Sequence, residues 1–364
     1  MTRSRATALA VAPALAFVLA TAGAAPRAAG APPARAGARC LPHAFRPAGR
    51  VAPRPFGVRG PLLVLSGAGL SSLSDATLRW IRSHVRRSLD ARAGNVVVLK
   101  ASGGERDYSG GFYRRARFAS VQEVLIPPCA PRAAVDAAAA YVDRADVVLF
   151  AGGDQSHYAA WKGSRLIAAV RRLYARGGVV GGGSAGLAIQ GAVVYDSAAA
   201  DRVLPDDEDL ATPLAVHDPR TPAISFTTGL FDWPPLRDTI TDTHFAKRDR
   251  FGRLVAFLAR IERQGLGPAP FYGLGVDEGS VLLVESDGTA TLRRRARSRG
   301  AYVVRMDAPP RLAPGIPLDA DVRVAHVARD GERFDLAHHR VREPWRRIEV
   351  DGARQPFYRP DPYR

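Results

Sequence analysis

The stretch Val179-Val-Gly-Gly-Gly-Ser184-Ala-Gly-Leu-Ala188 carries the residue types that a nucleophilic serine requires. An apolar strand pattern runs into three glycines, a serine, a small residue and a further glycine, and a helical pattern follows. Glycine tolerates positive φ and leaves room beside the backbone. A serine at such a bend is held out of the sheet with its hydroxyl exposed. The N–H of Ala185, at the start of the next helix, would lie where a developing oxyanion needs a donor. A phosphate-cradling glycine turn, or a tight turn with no chemistry, has the same local pattern.

A serine nucleophile needs a base, and the base needs an orienting group. Of the eight histidines, His43 falls in an N-terminal leader and His84 on the polar side of a helix pattern. His157 follows a Gly-Gly-Asp-Gln turn, His217 lies in a polar excursion, and His326, His338 and His339 lie in the tail. His244 stands apart. It closes the strand pattern Thr239-Ile-Thr-Asp-Thr243, and the end of a strand is where a base can meet the reactive edge. Gly275-Val-Asp277-Glu278-Gly279 is a second strand running into acids. Side-chain alternation turns Asp277 and Glu278 to opposite faces, so one of the two can face the site.

The elements that must position these groups alternate. Buried strand patterns are expected at 61–65, 95–99, 120–126, 145–150 and 178–180. Helical patterns are expected at 74–89, 131–143 and 161–174, and again at 250–262. This order predicts an α/β fold with a mostly parallel sheet covered on both faces. In such sheets reactive groups gather at the carboxyl ends of strands. Gly152-Gly-Asp-Gln155 and Gly181-Gly-Gly-Ser184 both sit at such ends. Residues 195–221 read as a surface excursion, and the tail as a small β-rich C-terminal extension. The organisation expected is a signal peptide over 1–24, an Ala/Pro/Arg-rich leader or linker over 25–59, an α/β domain over 60–292 and the extension over 293–364.

The 364 residues, 46% of them hydrophobic, suffice for a large core. The net charge of +17 is nearly all arginine. Those arginines are dispersed, with no basic stripe interleaved with aromatics, so no nucleic-acid partner is expected. The dense run Arg293-Arg-Arg-Ala-Arg-Ser-Arg299 reads as a solvated loop. Arg3 and Arg5 precede an uncharged run from Ala6 to Ala20, and Ala22-Gly-Ala24 follows. This is the pattern of a cleaved export signal, so the expected location is periplasmic or extracellular, with no membrane segment after cleavage. In that setting Cys40 and Cys129 either pair or remain two thiols. No Cys/His cluster has metal-ligand spacing, so neither a metal nor a cofactor is expected.

Four blocks in order resemble the cyanophycinase and aspartyl dipeptidase family of serine peptidases: Phe150-Ala-Gly-Gly-Asp-Gln155, Gly181-Gly-Gly-Ser-Ala-Gly186, Asp242-Thr-His-Phe-Ala-Lys-Arg-Asp-Arg-Phe-Gly-Arg253 and Gly273-Leu-Gly-Val-Asp-Glu278. The likeness runs from about Leu62 to Leu292. It implies a class I glutamine amidotransferase-like α/β/α sandwich. It also implies hydrolysis of aspartyl peptides, including the β-Asp-Arg polymer cyanophycin, with Ser184 as nucleophile, His244 as base and Glu278 as orienting acid. Gly153 and Ala185 match the oxyanion hole, and Gln155, Asp242, Arg248, Arg250 and Arg253 match the substrate site. The chain departs from the family pattern at Gly183, Leu187 and Thr243. An α-aspartyl dipeptidase-like or other exopeptidase, an α/β-hydrolase esterase and a non-catalytic ligand-binding protein stay open as alternatives, and so does a homodimer.

Overall fold

The continuous apolar runs of the first half become the middle of a sheet because both of their faces are covered. In the strand Leu62–Ser66, Leu63 and Leu65 join one core cluster while Leu62 and Val64 join another on the opposite face. Asn95–Lys100 divides in the same way, with Val97 and Leu99 on one side and Val96 and Val98 on the other. A computed structural model describes residues 40–88, 90–103, 108–204 and 210–364. The expected signal peptide over 1–24, and residues 25–39 of the expected leader, lie outside these residues.

Among the described residues the first sheet has ten strands. Its parallel centre runs in the order Ser120–Leu125, Asn95–Lys100, Val147–Phe150, Val179–Gly183 and Leu62–Ser66. Ser280–Val284, Thr289–Arg294 and Arg333–Asp335 continue it antiparallel. Helices Asp75–His84 and Tyr108–Ala116 cover one face, and Arg132–Ala137, Ala139–Asp143 and Arg165–Ala175 the other. The fold is therefore α/β, with helices on both faces of the parallel strands. Arg165–Ala175 shows how the pattern works. Ser164 caps it by accepting the N–H of Ile167 at 3.1 Å, and Leu166, Ile167, Val170, Leu173 and Tyr174 form its buried stripe.

A second sheet, which the sequence pattern does not announce, has eight strands. Thr239–Asp242 lies parallel to both Val193–Tyr195 and Tyr272–Val276, and antiparallel strands Ala301–Met306, Asp319–Val327, Arg346–Asp351 and Tyr358–Arg359 extend it. Leu274, Val276 and Val303 share a cluster with Leu63 and Leu65, so this sheet packs on the same core as the first. Helix Phe251–Gln264 covers its other face. The tail is thus an extension of the two sheets. The strand Thr289–Arg294 crosses the expected boundary at 292, and later strands are shared between the two sheets.

Two local readings change. Residues 40–59 are not a loose linker: His43–Ala44 and Ala48–Gly49 pair with the edge strand Ser120–Leu125, and Cys40 is bonded to Cys129. The 195–221 excursion is not wholly superficial, because it supplies the helix Thr212–His217, whose Ala215 and Val216 pack in the second core. Among the described residues no helix is long and apolar enough to cross a membrane.

Candidate active site

The two sheets meet at the carboxyl ends of their parallel strands, and the peptide Ser66-Gly67 joins them. The carbonyl of Ser66 accepts the N–H of Ser184 at 3.2 Å, and the carbonyl of Gly67 accepts the N–H of His244 at 2.9 Å. A Cβ at residue 67 would lie 2.1 Å from the carbonyl oxygen of Asp277, so only glycine lets the three segments approach. In the sequence the turn is visible as Ser66-Gly-Ala-Gly69, at the end of the buried strand Leu62–Ser66.

Ser184 sits at the bend between Val179–Gly183 and the short helix Ala185–Ala188, with φ 54° and ψ −124°. His244 also has positive φ, at 49°. Such conformations cost on the order of 1–3 kcal/mol each in non-glycine residues. They persist because the surroundings fix them. At the serine bend the backbones are nearly in contact, since a Cβ on Gly186 would stand 2.1 Å from the carbonyl oxygen of Phe150.

The side chains of three residues distant in sequence form one line. Ser184 Oγ is 2.8 Å from His244 Nε2, and His244 Nδ1 is 2.6 Å from Glu278 Oε1. An ionised carboxylate only accepts, so Nδ1 carries the proton and Nε2 presents its lone pair to the serine hydroxyl. His244 is 9% exposed. Burial lowers its pKa from the ordinary value. The bond to Glu278 opposes that shift, and the nearby Arg248 and Arg250 reinforce it. The imidazole is therefore neutral at neutral pH, which is the state a base requires. Asp277 lies just past the strand end at Val276, and its carboxylate accepts the N–H groups of Lys247 and Arg299 at 3.0 and 2.9 Å.

Ala185 is the first residue of its helix, so its N–H has no acceptor within the helix. Gly152 lies beside the serine, where an added Cβ would be 3.7 Å from Ser184 Oγ. Gly153 follows with φ +142°, a backbone form that favours glycine. Gln155 opens the helix Gln155–Ala159 next to this turn and is half-buried.

The residues expected to bind substrate divide. Arg248 is exposed, close enough to His244 to influence its charge. Asp242, Arg250 and Arg253, which the resemblance matches to the substrate site, are instead buried and paired with one another. Asp242 accepts from Arg253 Nε at 2.8 Å and Nη2 at 2.7 Å, and Arg250 Nη1 stands 3.5 Å from it. Arg250 also donates to both oxygens of Thr243 at 3.0 Å. Thr243, a departure from the family pattern, thus holds an arginine behind the histidine.

The C-terminal segment clasps the loop that carries His244. Asp249, at φ 45°, accepts the hydroxyls of Tyr358 and Tyr363, each at 2.9 Å. Those hydroxyls accept the N–H groups of Gly252 and Phe251, the first turn of the helix that follows the loop. Burial, with the charge of Asp249, pushes both phenols up, so they remain protonated donors. Replacing both tyrosines by phenylalanine removes four such bonds and is expected to cost about 2–4 kcal/mol of stability. Thermal melting followed by circular dichroism measures it, and an unchanged melting point would show the clasp to be idle.

The remaining histidines lie elsewhere. His326 Nε2 meets the carbonyl of Arg299 at 2.5 Å, His338 pairs with Asp335, and His339 pairs with Asp238. Among the described residues no group of His, Cys, Asp and Glu is arranged to hold a metal ion.

No protein-family model matches this chain. No curated protein matches it. Among solved structures the chain is similar to a peptidase from an acI-B1 Actinobacterium, at 15% identity over 77% of this chain and 98% of that one, with a TM-score of 0.47. It is also similar to a provisionally named peptidase E protein from Listeria monocytogenes EGD-e, at 12% identity over 65% of this chain and 98% of that one, with a TM-score of 0.38.

Proposed function

We propose that this chain is an exported serine-type peptidase that hydrolyses aspartyl peptide bonds, with β-Asp-Arg polymer of the cyanophycin type as a substrate. The observation that carries the reading is the unbroken hydrogen-bond line from Ser184 through His244 to Glu278. His244 takes the hydroxyl proton as Ser184 Oγ attacks the scissile carbonyl. Glu278 holds the imidazole orientation and stabilises the imidazolium. The N–H groups of Ala185 and Gly153 meet the tetrahedral oxyanion, each such donor being worth roughly 3–4 kcal/mol. The proton passes to the leaving amine, leaving an acyl ester on Ser184. Water then attacks that ester with His244 again as base. The exposed guanidinium of Arg248 suits a substrate carboxylate near the scissile bond. Export is supported by the Arg3/Arg5, apolar run and Ala22-Gly-Ala24 pattern, and by the paired cysteines.

An esterase of the α/β-hydrolase kind would use a histidine that follows its acid in sequence. The histidine bonded to Ser184 precedes Glu278, which disfavours that alternative.

The test is incubation of the mature chain with cyanophycin and with α- and β-aspartyl peptides, read by mass spectrometry. Cleavage on the carboxyl side of aspartyl residues is expected. No cleavage, together with no fluorophosphonate adduct on Ser184 in folded protein, would overturn the reading. The pH profile adds a second check. kcat/KM should rise to a plateau as His244 loses its proton, with the half-maximum below the ordinary histidine value of about 6.5. Because the folded state favours the neutral ring, the linked stability is fully present above that ordinary value. It is lost as pH falls through the lowered one.

A further inference from the structure

Arg295, Arg297, Ser298 and Arg299, from the basic run that reads from sequence as a solvated loop, form one wall of a cleft. The cleft is open, about 360 Å³ in volume, and lies at the Glu278 end of the Ser184–His244–Glu278 line. Its other wall is Ala246-Lys247, and its floor is the turn Asp277-Glu278-Gly279. The volume falls in the range of small-ligand sites.

The wall is a built feature. The N–H of Arg295 donates to the carbonyl of Gly279 at 2.9 Å, and the N–H of Ser298 closes a turn on the carbonyl of Arg295 at 2.9 Å. The hydroxyls of Ser298 and Ser280 meet at 2.5 Å, in the interior.

The charges in the cleft do not balance. The two acids are already engaged, Asp277 by two backbone N–H groups and Glu278 by the imidazole of His244. Lys247, Arg295, Arg297 and Arg299 line the same space. Arg295 donates to the carbonyl of Ser72 at 3.1 Å and Arg299 to that of Tyr363 at 2.9 Å. These neutral acceptors fix where the guanidinium groups stand without neutralising them, and the two acids likewise keep their charge, so four cations face two carboxylates in the lining. Among the described residues none of the four forms an ion pair, although many arginines elsewhere on the surface do, such as Arg323 with Asp307 and Arg347 with Asp321. The excess of cations over carboxylates around this concave space gives it a net positive potential.

We infer that this cleft binds carboxylates of an acidic peptide segment, holding an extended substrate beside the reactive line. The guanidinium forks of Arg295, Arg297 and Arg299 can each take a carboxylate by two N–H groups. This substrate subsite rests on the peptidase reading proposed above.

The test uses the Ser184→Ala protein, in which turnover is blocked, and a fluorescent hexa-aspartate peptide followed by anisotropy. The parent and an Arg295→Gln/Arg297→Gln variant are compared with Arg347→Gln/Arg354→Gln, which loses the same charge on another surface. The expected result is binding about tenfold weaker for the cleft variant only. Equal weakening in both variants would assign the binding to the overall charge and overturn the inference, as would absence of binding to the parent. Because the assay needs no turnover, its failure is separable from failure of the peptidase reading, which fluorophosphonate labelling of wild-type Ser184 decides.

Discussion

Ser184→Ala should lower kcat/KM on an aspartyl peptide by about a millionfold, the loss seen when a triad nucleophile is removed. The hydroxyl lies 2.8 Å from Nε2 of His244, and among the described residues no other side chain is hydrogen-bonded to that nitrogen. His244→Ala should cost nearly as much, and the double variant no more than either, because the pair acts as one unit. Glu278→Gln should cost less, since the serine and the base survive it while the orientation of the ring does not. Stability should change little in Ser184→Ala, because alanine occupies the same strained backbone and the lost hydroxyl is partly exposed. Steady-state kinetics beside a melting curve separates the two effects. Retention of a tenth of wild-type activity would remove Ser184 from the mechanism.

The largest loss of stability is expected at Arg253→Ala. Arg253 and Asp242 are each 2% exposed and joined by two short hydrogen bonds. Deleting one member leaves its partner charge in a poorly solvated place, which costs about 3–5 kcal/mol. The melting point should fall by about 10 °C. An exposed pair such as Arg347 with Asp321 offers the contrast: its loss should cost no more than about 1 kcal/mol. Since the strand Thr239–Asp242 leads directly to His244, the variant should also lose activity below its melting point. A melting point equal to that of the parent would show that the buried pair is not holding this corner.

Arg253 also marks where sequence reasoning stops. The block Asp242 to Arg253 is recognisable, and an arginine in it is a reasonable ligand for a carboxylate. Whether that carboxylate belongs to a substrate or to the protein depends on what packs above it. The strand Thr239–Asp242 lies inside a second sheet, and its terminal acid meets Arg253 there. Arg248 belongs to the same block and is exposed, because the loop turns between the two. Similarly, Arg293–Arg299 looks like any solvated basic run until the Gly279 turn folds against it.

The sequence by itself determined the local events. Buried apolar runs became the parallel strands, and the glycines around Ser184 allowed the sharp bend, while the helix expected from 161 begins only after its cap Ser164. Each of these depends on neighbours within a few residues, so pattern and propensity suffice. Only the tertiary structure decided that a second sheet exists, that residues 40–59 and the tail are woven into the two sheets, and that Ser184, His244 and Glu278 stand within hydrogen-bond distance. Those outcomes rest on pairings between residues tens to hundreds apart, such as Gly67 with His244 and Tyr363 with Asp249. No local period in the chain records such pairings, because they are selected by the burial of whole faces against one another.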